Sequence, residues 1–447
     1  MKRGPEVIEM GRGLGARDVM ITGMGFCLPG VERPVCTAAD LWQVASEGRF
    51  CLTNDGIYHG SVRITKEEFR KRVPGIPGTF SKHFTKAQWF GLLSLSEASE
   101  DAGLDIMAGD LTDAAVLAGR GSIDANIDGY LRALHADAET ITPAEALDVY
   151  VGSEQSATPS DVALAQSALA RSTGPSFTAS AGCASSAAQL NIAFMMIGSG
   201  MSDIAVVTGA DVFNAELARK AQQLLRVAQR AVAAEPSGAV APGLPSFDRP
   251  MRPYDRRGGC VNFGEGSATL ILESREHAVR RGADCYGRML SAAMARDGLA
   301  HPLASDDTGI GLVAAVRRCL GNRWNIAQVP YVHGASDGDA MVTAFECNAI
   351  RQLYGPAAGG LLMTSQEACF GHNGAPAGCL GVGLTLLMMR HGEVCPTANC
   401  EDPAEGLPFD PVPGTKTRPL DFGYALNLTY QIGGVKNAIL LGLPDAV

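Results

Sequence analysis

Ala181-Gly182-Cys183-Ala184-Ser185-Ser186 runs into the apolar stretch Asn191 to Ile197, which stops at Gly198 and Gly200 before a second apolar run, Ile204 to Thr208. The first run reads as a helix that begins near Cys183, and the short second run reads as a buried strand. A cysteine at a helix start meets the positive end of the helix dipole, which favours the nucleophilic thiolate. The small residues around it leave room for a substrate. Most cysteines are small core residues; the position of this one argues for a nucleophile.

Outward from this unit the same alternation recurs. Val19 to Thr22 is a strand that ends in Gly23-Met-Gly25; Leu41 to Ser46 and Lys86 to Ala102 are helices, the second closed by Gly103; Val116 to Ala118 is a strand before Gly119. Short buried strands between helical segments predict an α/β fold with a mostly parallel sheet covered by helices. Residues 231 to 253, rich in Ala, Pro, Gly and Ser, predict a loop or lid. Gly266-Ser-Ala-Thr-Leu-Ile-Leu and Gly434-Val-Lys-Asn-Ala-Ile-Leu-Leu resemble one another and close two stretches of the chain. They predict a duplicated unit, with a half at 17–275 carrying the cysteine and a half at 276–447 carrying two histidines.

Composition narrows the function. With 447 residues, 46% of them apolar and 19% charged, the chain can build more than one core. A net charge of −10 argues against nonspecific nucleic-acid binding. No run reaches the roughly 18 apolar residues of a membrane span, and Met1 to Asp18 lacks a signal-peptide core, so a cytoplasmic protein is expected. Twelve irregularly spaced cysteines fit reduced thiols; Cys395 and Cys400 lack the second pair of a zinc site, so no metal and no cofactor is expected. Arg219, Lys220, Arg226 and Arg230 share one predicted helix, and Arg275, Arg280 and Arg281 lie near another. Each group is a solvated face or a patch for an acidic partner.

Two further segments bear chemistry. Val329-Pro-Tyr-Val-His333-Gly334-Ala-Ser-Asp337-Gly-Asp339 is a strand entering a polar turn, and Leu361-Leu-Met-Thr-Ser365-Gln-Glu367-Ala-Cys-Phe-Gly371-His372 repeats that arrangement. Histidines at two strand ends, with a cysteine in an equivalent place in the other half, suit a site on an α/β sheet.

From Val19 to Leu441 the chain resembles the β-ketoacyl synthases, the condensing enzymes of the thiolase fold. The resemblance rests on Ile21-Thr-Gly-Met-Gly25, the segment around Cys183, Gly264-Glu-Gly-Ser-Ala268, His333-Gly334, Gly371-His372 and Ile432-Gly433-Gly434. It implies a duplicated α-β-α-β-α layered fold and a triad of Cys183, His333 and His372. The backbone N–H groups of Cys183 and Ile432 would form the oxyanion hole, with Glu346, Asp339, Gly433 and Gly434 in support. An acyl carrier protein as thioester donor and a homodimer are also implied.

The departures from the family cluster at the site. Glu367 stands where the family has a lysine, and Glu346 aligns with that lysine's glutamate partner, so two carboxylates are expected to replace an ion pair and raise one pKa. Ile432 replaces a phenylalanine gate. Ala335 and Asp337 replace threonines, and Gly258-Gly-Cys-Val261 replaces Arg-Asp-Gly-Phe, which weakens the expectation of an ordinary malonyl substrate. Three readings follow: acylation of Cys183 and non-decarboxylative aldol or Claisen ring closure, with Glu367 as base and lactonisation as a possible release; decarboxylative chain elongation; or a partner subunit like the chain-length factors. The retained cysteine counts against the third.

Overall fold

The computed structural model describes residues 17–73, 75–76, 81–121, 127–157, 161–216, 218–220, 222–224, 227, 247–300, 305–431 and 433–445. Ile432, Arg226, Arg230 and residues 231–246 of the expected loop lie outside them.

Ten strands form one sheet: β1 (Val19–Cys27), β2 (Ala115–Gly119), β3 (Ser176–Ala179), β4 (Ile204–Asp211), β5 (Gly266–Ser274), β6 (Gly287–Arg296), β7 (Tyr331–His333), β8 (Leu362–Thr364), β9 (Tyr424–Gln431) and β10 (Val435–Gly442). Their spatial order is β8-β7-β9-β10-β6-β1-β5-β4-β2-β3. Counted from its own first strand, each run of five has the order 1-5-4-2-3. In each, strand 5 is antiparallel to strands 1 and 4, while strand 2 is parallel to strands 4 and 3. The runs meet where Val19 to Ile21 pair with Met289 to Gly287. The chain therefore repeats one topology twice.

The sheet is mixed rather than mostly parallel. A strand covered by helices on both faces is apolar throughout whichever way its neighbour runs, so the continuous apolar runs reported burial and not direction. β1 shows this, with all nine residues buried. Gly23 and Gly25 lie against α1 (Lys86–Asp101), where a side chain would overlap Ala98, Ala102 and Ser94. The alternate residues Met24 and Phe26 face Gly383 on the other side.

Helix α1 starts at a capping box, in which Thr85 Oγ1 accepts the Gln88 N–H and Gln88 Oε1 accepts the Thr85 N–H. Helix α2 (Ser185–Gly198) follows β3, α3 (Ile310–Leu320) follows β6, α4 (Ala340–Tyr354) follows β7, and the single turn α5 (Glu367–Phe370) and then α6 (Ala377–His391) follow β8. Helices α2 and α6 pack on each other and on strands of both halves, while α3 covers β6 and β10. The main core cluster joins β1, α2 and α6 through residues such as Ile21, Phe26, Leu190, Ile197, Leu380 and Leu384. One face of α2 is thus covered within the chain, while Met195 of the helix stays exposed.

Candidate active site

Equivalent strands of the two halves deliver the reactive residues. β3 leads to Cys183 and α2; its counterpart β8 leads to Glu367, His372 and α6; His333 ends β7. All of them leave the carboxyl ends of parallel strands, where α/β sheets place their sites.

A tight elbow presents the thiol. Gly182 has φ +51°, and a side chain there would meet Gln431 Cγ at 2.6 Å, so both backbone sign and space call for glycine. Ser185 Oγ accepts the Ala181 N–H at 2.9 Å and faces the carbonyls of Gly182 (2.6 Å) and Arg120 (3.0 Å), fixing the turn ahead of the helix. Cys183 is the residue of this elbow that keeps a half-exposed thiol.

His372 meets it from the other half. Its Nε2 stands 2.8 Å from Cys183 Sγ, and its Nδ1 stands 3.1 Å from Glu367 Oε2. The His372 N–H donates to the Asn262 carbonyl (2.7 Å), and its own carbonyl accepts the Gly264 N–H (3.0 Å). Buried Asp211 locks the following loop to the first half, accepting the Ala375 N–H through Oδ2 (2.7 Å) and the Gly121 N–H through Oδ1 (3.0 Å). Burial alone would lower the basicity of His372. The Cys183 sulfur on one side and the Glu367 carboxylate on the other outweigh it and raise the imidazole pKa well above its ordinary value. The arrangement favours a protonated imidazole between the sulfur and the Glu367 side chain.

His333 is different. It is 7% exposed, and burial pushes its pKa down to about 4 against the opposing effect of Gln366 and the Gly334 backbone. It is a neutral imidazole at physiological pH.

Fully buried Glu346, on α4, accepts the Ala335 N–H at 2.9 Å and the Tyr254 hydroxyl at 2.8 Å, with Tyr430 beside it. Burial carries its pKa up to about 7, and the acid that adds to the rise is Asp337. Asp337 is also the carboxylate whose charge bears on Glu367 and His372. On α4, Glu346 is turned toward the loop after His333. Asp339 serves a local purpose: it is the N-cap of α4, its Oδ1 accepting the Met341 N–H at 2.8 Å.

Gly433 and Gly434 take φ +92° and +85° between β9 and β10. The Gly433 carbonyl accepts from Arg296 Nε (3.1 Å), and the Gly434 carbonyl accepts the Asp297 N–H (3.0 Å). Two residues further on is Lys436, which the sequence reading passed over. It is buried completely, 3.6 Å above the Phe345 ring and 3.4 Å from Asp297 Oδ2. Burial lowers its pKa, while Asp297 and Glu346 hold the charge in place. A lysine inside an otherwise apolar strand pattern was the available signal. Asp211 and Asn262 gave none, since their roles depend on contacts between distant segments.

Among the described residues no group of three or more His, Cys, Asp or Glu is arranged to hold a metal ion, and no helix is long and apolar enough to cross a membrane. Cys395 and Cys400 are free and buried.

Fold and site together define a doubled α/β protein in which an elbow cysteine of one half meets a histidine of the other. The family model described as Beta-ketoacyl synthase, N-terminal domain matches residues 16–278, and the corresponding C-terminal domain model matches residues 286–401. The chain belongs to the β-ketoacyl synthase family and is an acyl-transferring condensing enzyme. It is 25% identical to a Streptomyces halstedii protein named for a polyketide beta-ketoacyl synthase 1, over 96% of this chain and 99% of the other. It is also 25% identical to the 3-oxoacyl-[acyl-carrier-protein] synthase 2 of Vibrio harveyi, over 95% and 98%. Its fold is shared with a ketosynthase solved in complex with its type II polyketide acyl-carrier protein, at a TM-score of 0.75, 20% identity and coverage of 96% and 100%. The thiolase-like layered fold expected from the resemblance is the fold observed.

Proposed function

We propose that this protein receives an acyl group from a carrier protein onto Cys183 and closes a ring on it by non-decarboxylative carbon-carbon bond formation, in polyketide or related biosynthesis. One observation carries the reading: Glu367 backs His372, which in turn meets Cys183. The thiolate attacks the carrier thioester, and the departing carrier thiol takes the proton from His372 Nε2. The histidine is then neutral, with a carboxylate at Nδ1 that strengthens it as a base. It can take a proton from a carbon beside a carbonyl of the bound chain, giving an enolate that attacks a second carbonyl. It can equally take one from a hydroxyl that attacks the thioester and expels Cys183 as a lactone forms. Glu367 thus acts through His372, whereas the sequence suggested direct contact with substrate. A decarboxylated malonyl unit supplies an enolate with no base, so ordinary elongation would use this relay for the acylation step alone.

Decarboxylative elongation, the activity named in the Vibrio relative, is the second reading. Neutral His333 favours it, because a neutral imidazole can donate a hydrogen bond to an enolate oxygen without a competing charge. Purified protein given malonyl-carrier and acyl-carrier separates the two. Ring closure of the acyl chain without carbon dioxide release supports the first; carbon dioxide release with chain extension overturns it.

A carrier partner is supported by the solved ketosynthase and carrier complex. Arg219, one of the proposed docking residues, reaches Asp55 Oδ2, so its charge is partly engaged. For the homodimer, the support is the sheet edge. β3 ends the sheet with Ser176 and Phe177 exposed, an open edge that a second copy's β3 would complete. Sedimentation showing a monomer at micromolar concentration would overturn the dimer.

A further inference from the structure

We propose that Gln431 determines specificity at this site: its carboxamide donates a hydrogen bond to a keto oxygen of the acyl chain on Cys183, so that keto-bearing chains are taken in preference to saturated ones. The inference deepens the ring-closing reading above and rests on it for the second carbonyl.

Strand β9 brings Gln431 to the cysteine elbow. Asn427 lies in register with His333 of β7, and Thr429 lies opposite Asn437 of β10. Side chains alternate along a strand, so His333, Asn427, Thr429 and Gln431 leave the sheet on one face. Helix α2 covers that face, with Asn191 Nδ2 donating to Asn437 Oδ1, and it starts two residues after Cys183. At the carboxyl end of β9 the Gln431 side chain therefore reaches the start of α2. From the point that a Cβ on Gly182 would occupy, Gln431 Cγ is 2.6 Å away, Cδ 3.0 Å and Nε2 3.1 Å. The amide lies against the residue that precedes Cys183.

The backbone of Gln431 is fixed and its side-chain amide is free. It pairs with Val435 across the turn between β9 and β10, and its carbonyl accepts the Gly434 N–H (3.2 Å). Among the described residues nothing forms a hydrogen bond with the carboxamide, which is half-buried. Two N–H groups beside the elbow are thus available to a ligand. Ring closure develops charge that such a donor can meet. As the enolate carbon bonds to the second carbonyl carbon, the π electron pair moves onto the carbonyl oxygen, and His372 returns to it the proton taken from the chain. An N–H aimed at that oxygen stabilises the forming alkoxide, and an uncharged amide does so without competing for the proton of His372. A saturated chain offers no such acceptor.

The test uses stable pantetheine analogues with an amide in place of the thioester, carrying a hexanoyl, a 3-oxohexanoyl or a 5-oxohexanoyl chain. Calorimetric titration into wild-type protein should give at least one keto analogue a Kd about fivefold or more below that of the hexanoyl analogue. In Gln431→Leu, which keeps bulk against Gly182, the gap should shrink to about twofold or less. Equal affinities for all three in the wild type overturn the proposal, and that measurement needs no variant. A preference that survives in Gln431→Leu overturns the assignment to this residue. Separately, treating the wild type with a hexanoyl-pantetheine thioester reads the underlying function. No adduct on Cys183 would sink that reading, whereas an adduct together with equal analogue affinities sinks the keto selection alone.

Discussion

Glu367 holds His372 from behind: the carboxylate lies 3.1 Å from Nδ1 while Nε2 points at the Cys183 sulfur 2.8 Å away. A residue that inverts the charge expected at its position is thereby built into a relay. Removing its charge while keeping its shape isolates what the relay contributes. In Glu367→Gln the imidazolium loses a stabilising carboxylate, so less thiolate is present near neutral pH. Alkylation of Cys183 by iodoacetamide at pH 7 should slow by roughly tenfold, and turnover should fall by about 10²-fold. Wild-type rates in both assays would show the carboxylate to be a bystander.

Cys183 is expected to be the acylated residue. Intact-mass analysis with a reactive acyl thioester should show one adduct in the wild type and none in Cys183→Ala. The buried thiols of Cys27, Cys369 and Cys379 are all pushed up by burial and should not substitute.

Glu346 should make stability depend on pH in a direction opposite to most carboxylates. Its folded pKa of about 7 lies above the ordinary value of 4.5, so the fold favours the protonated acid. That contribution is complete below about pH 4.5 and is lost as pH rises through 7. His333, lowered from 6.5 to about 4, contributes the reverse, present above 6.5 and lost as pH falls toward 4. Comparing Glu346→Gln with wild type isolates the first effect. The difference in Tm, variant minus wild type, should be more positive at pH 8 than at pH 4.5, by roughly 1–3 °C. A difference independent of pH would mean that Glu346 stays ionised throughout.

Lys436→Met should strand the Asp297 carboxylate beside Gly434, where the Cβ of any side chain would sit 2.8 Å from Asp297 Oδ2. Breaking a buried pair from one side costs about 3–5 kcal/mol. Adding Asp297→Asn removes the orphaned charge, so the double variant should melt above the single one. If the single variant melts with the wild type, the pair contributes little.

What could be read in advance followed the range of the interactions involved. The strand at Val116, the helix at Lys86 with its Gly103 stop, and the elbow at Cys183 are local patterns of burial and turn chemistry, and they appear where the sequence put them. β1 runs to Cys27, five residues past the expected Thr22, because Gly23 and Gly25 are pressed against α1 and do not end the strand. Strand direction was not legible, since it depends on which neighbours the strands find. Cys183, His333 and His372 were identifiable by motif. Their partners were assigned by counting positions, and counting cannot tell that Glu346 accepts the Tyr254 hydroxyl.

Cys183 and His372 are separated by 189 positions in the chain. On the ribosome, the cysteine elbow emerges long before the histidine that meets it. Asp211 can accept the Ala375 N–H only once the chain has reached residue 375. A chain made only as far as the first half therefore holds the cysteine elbow without the imidazole that stands 2.8 Å from its sulfur in the finished fold.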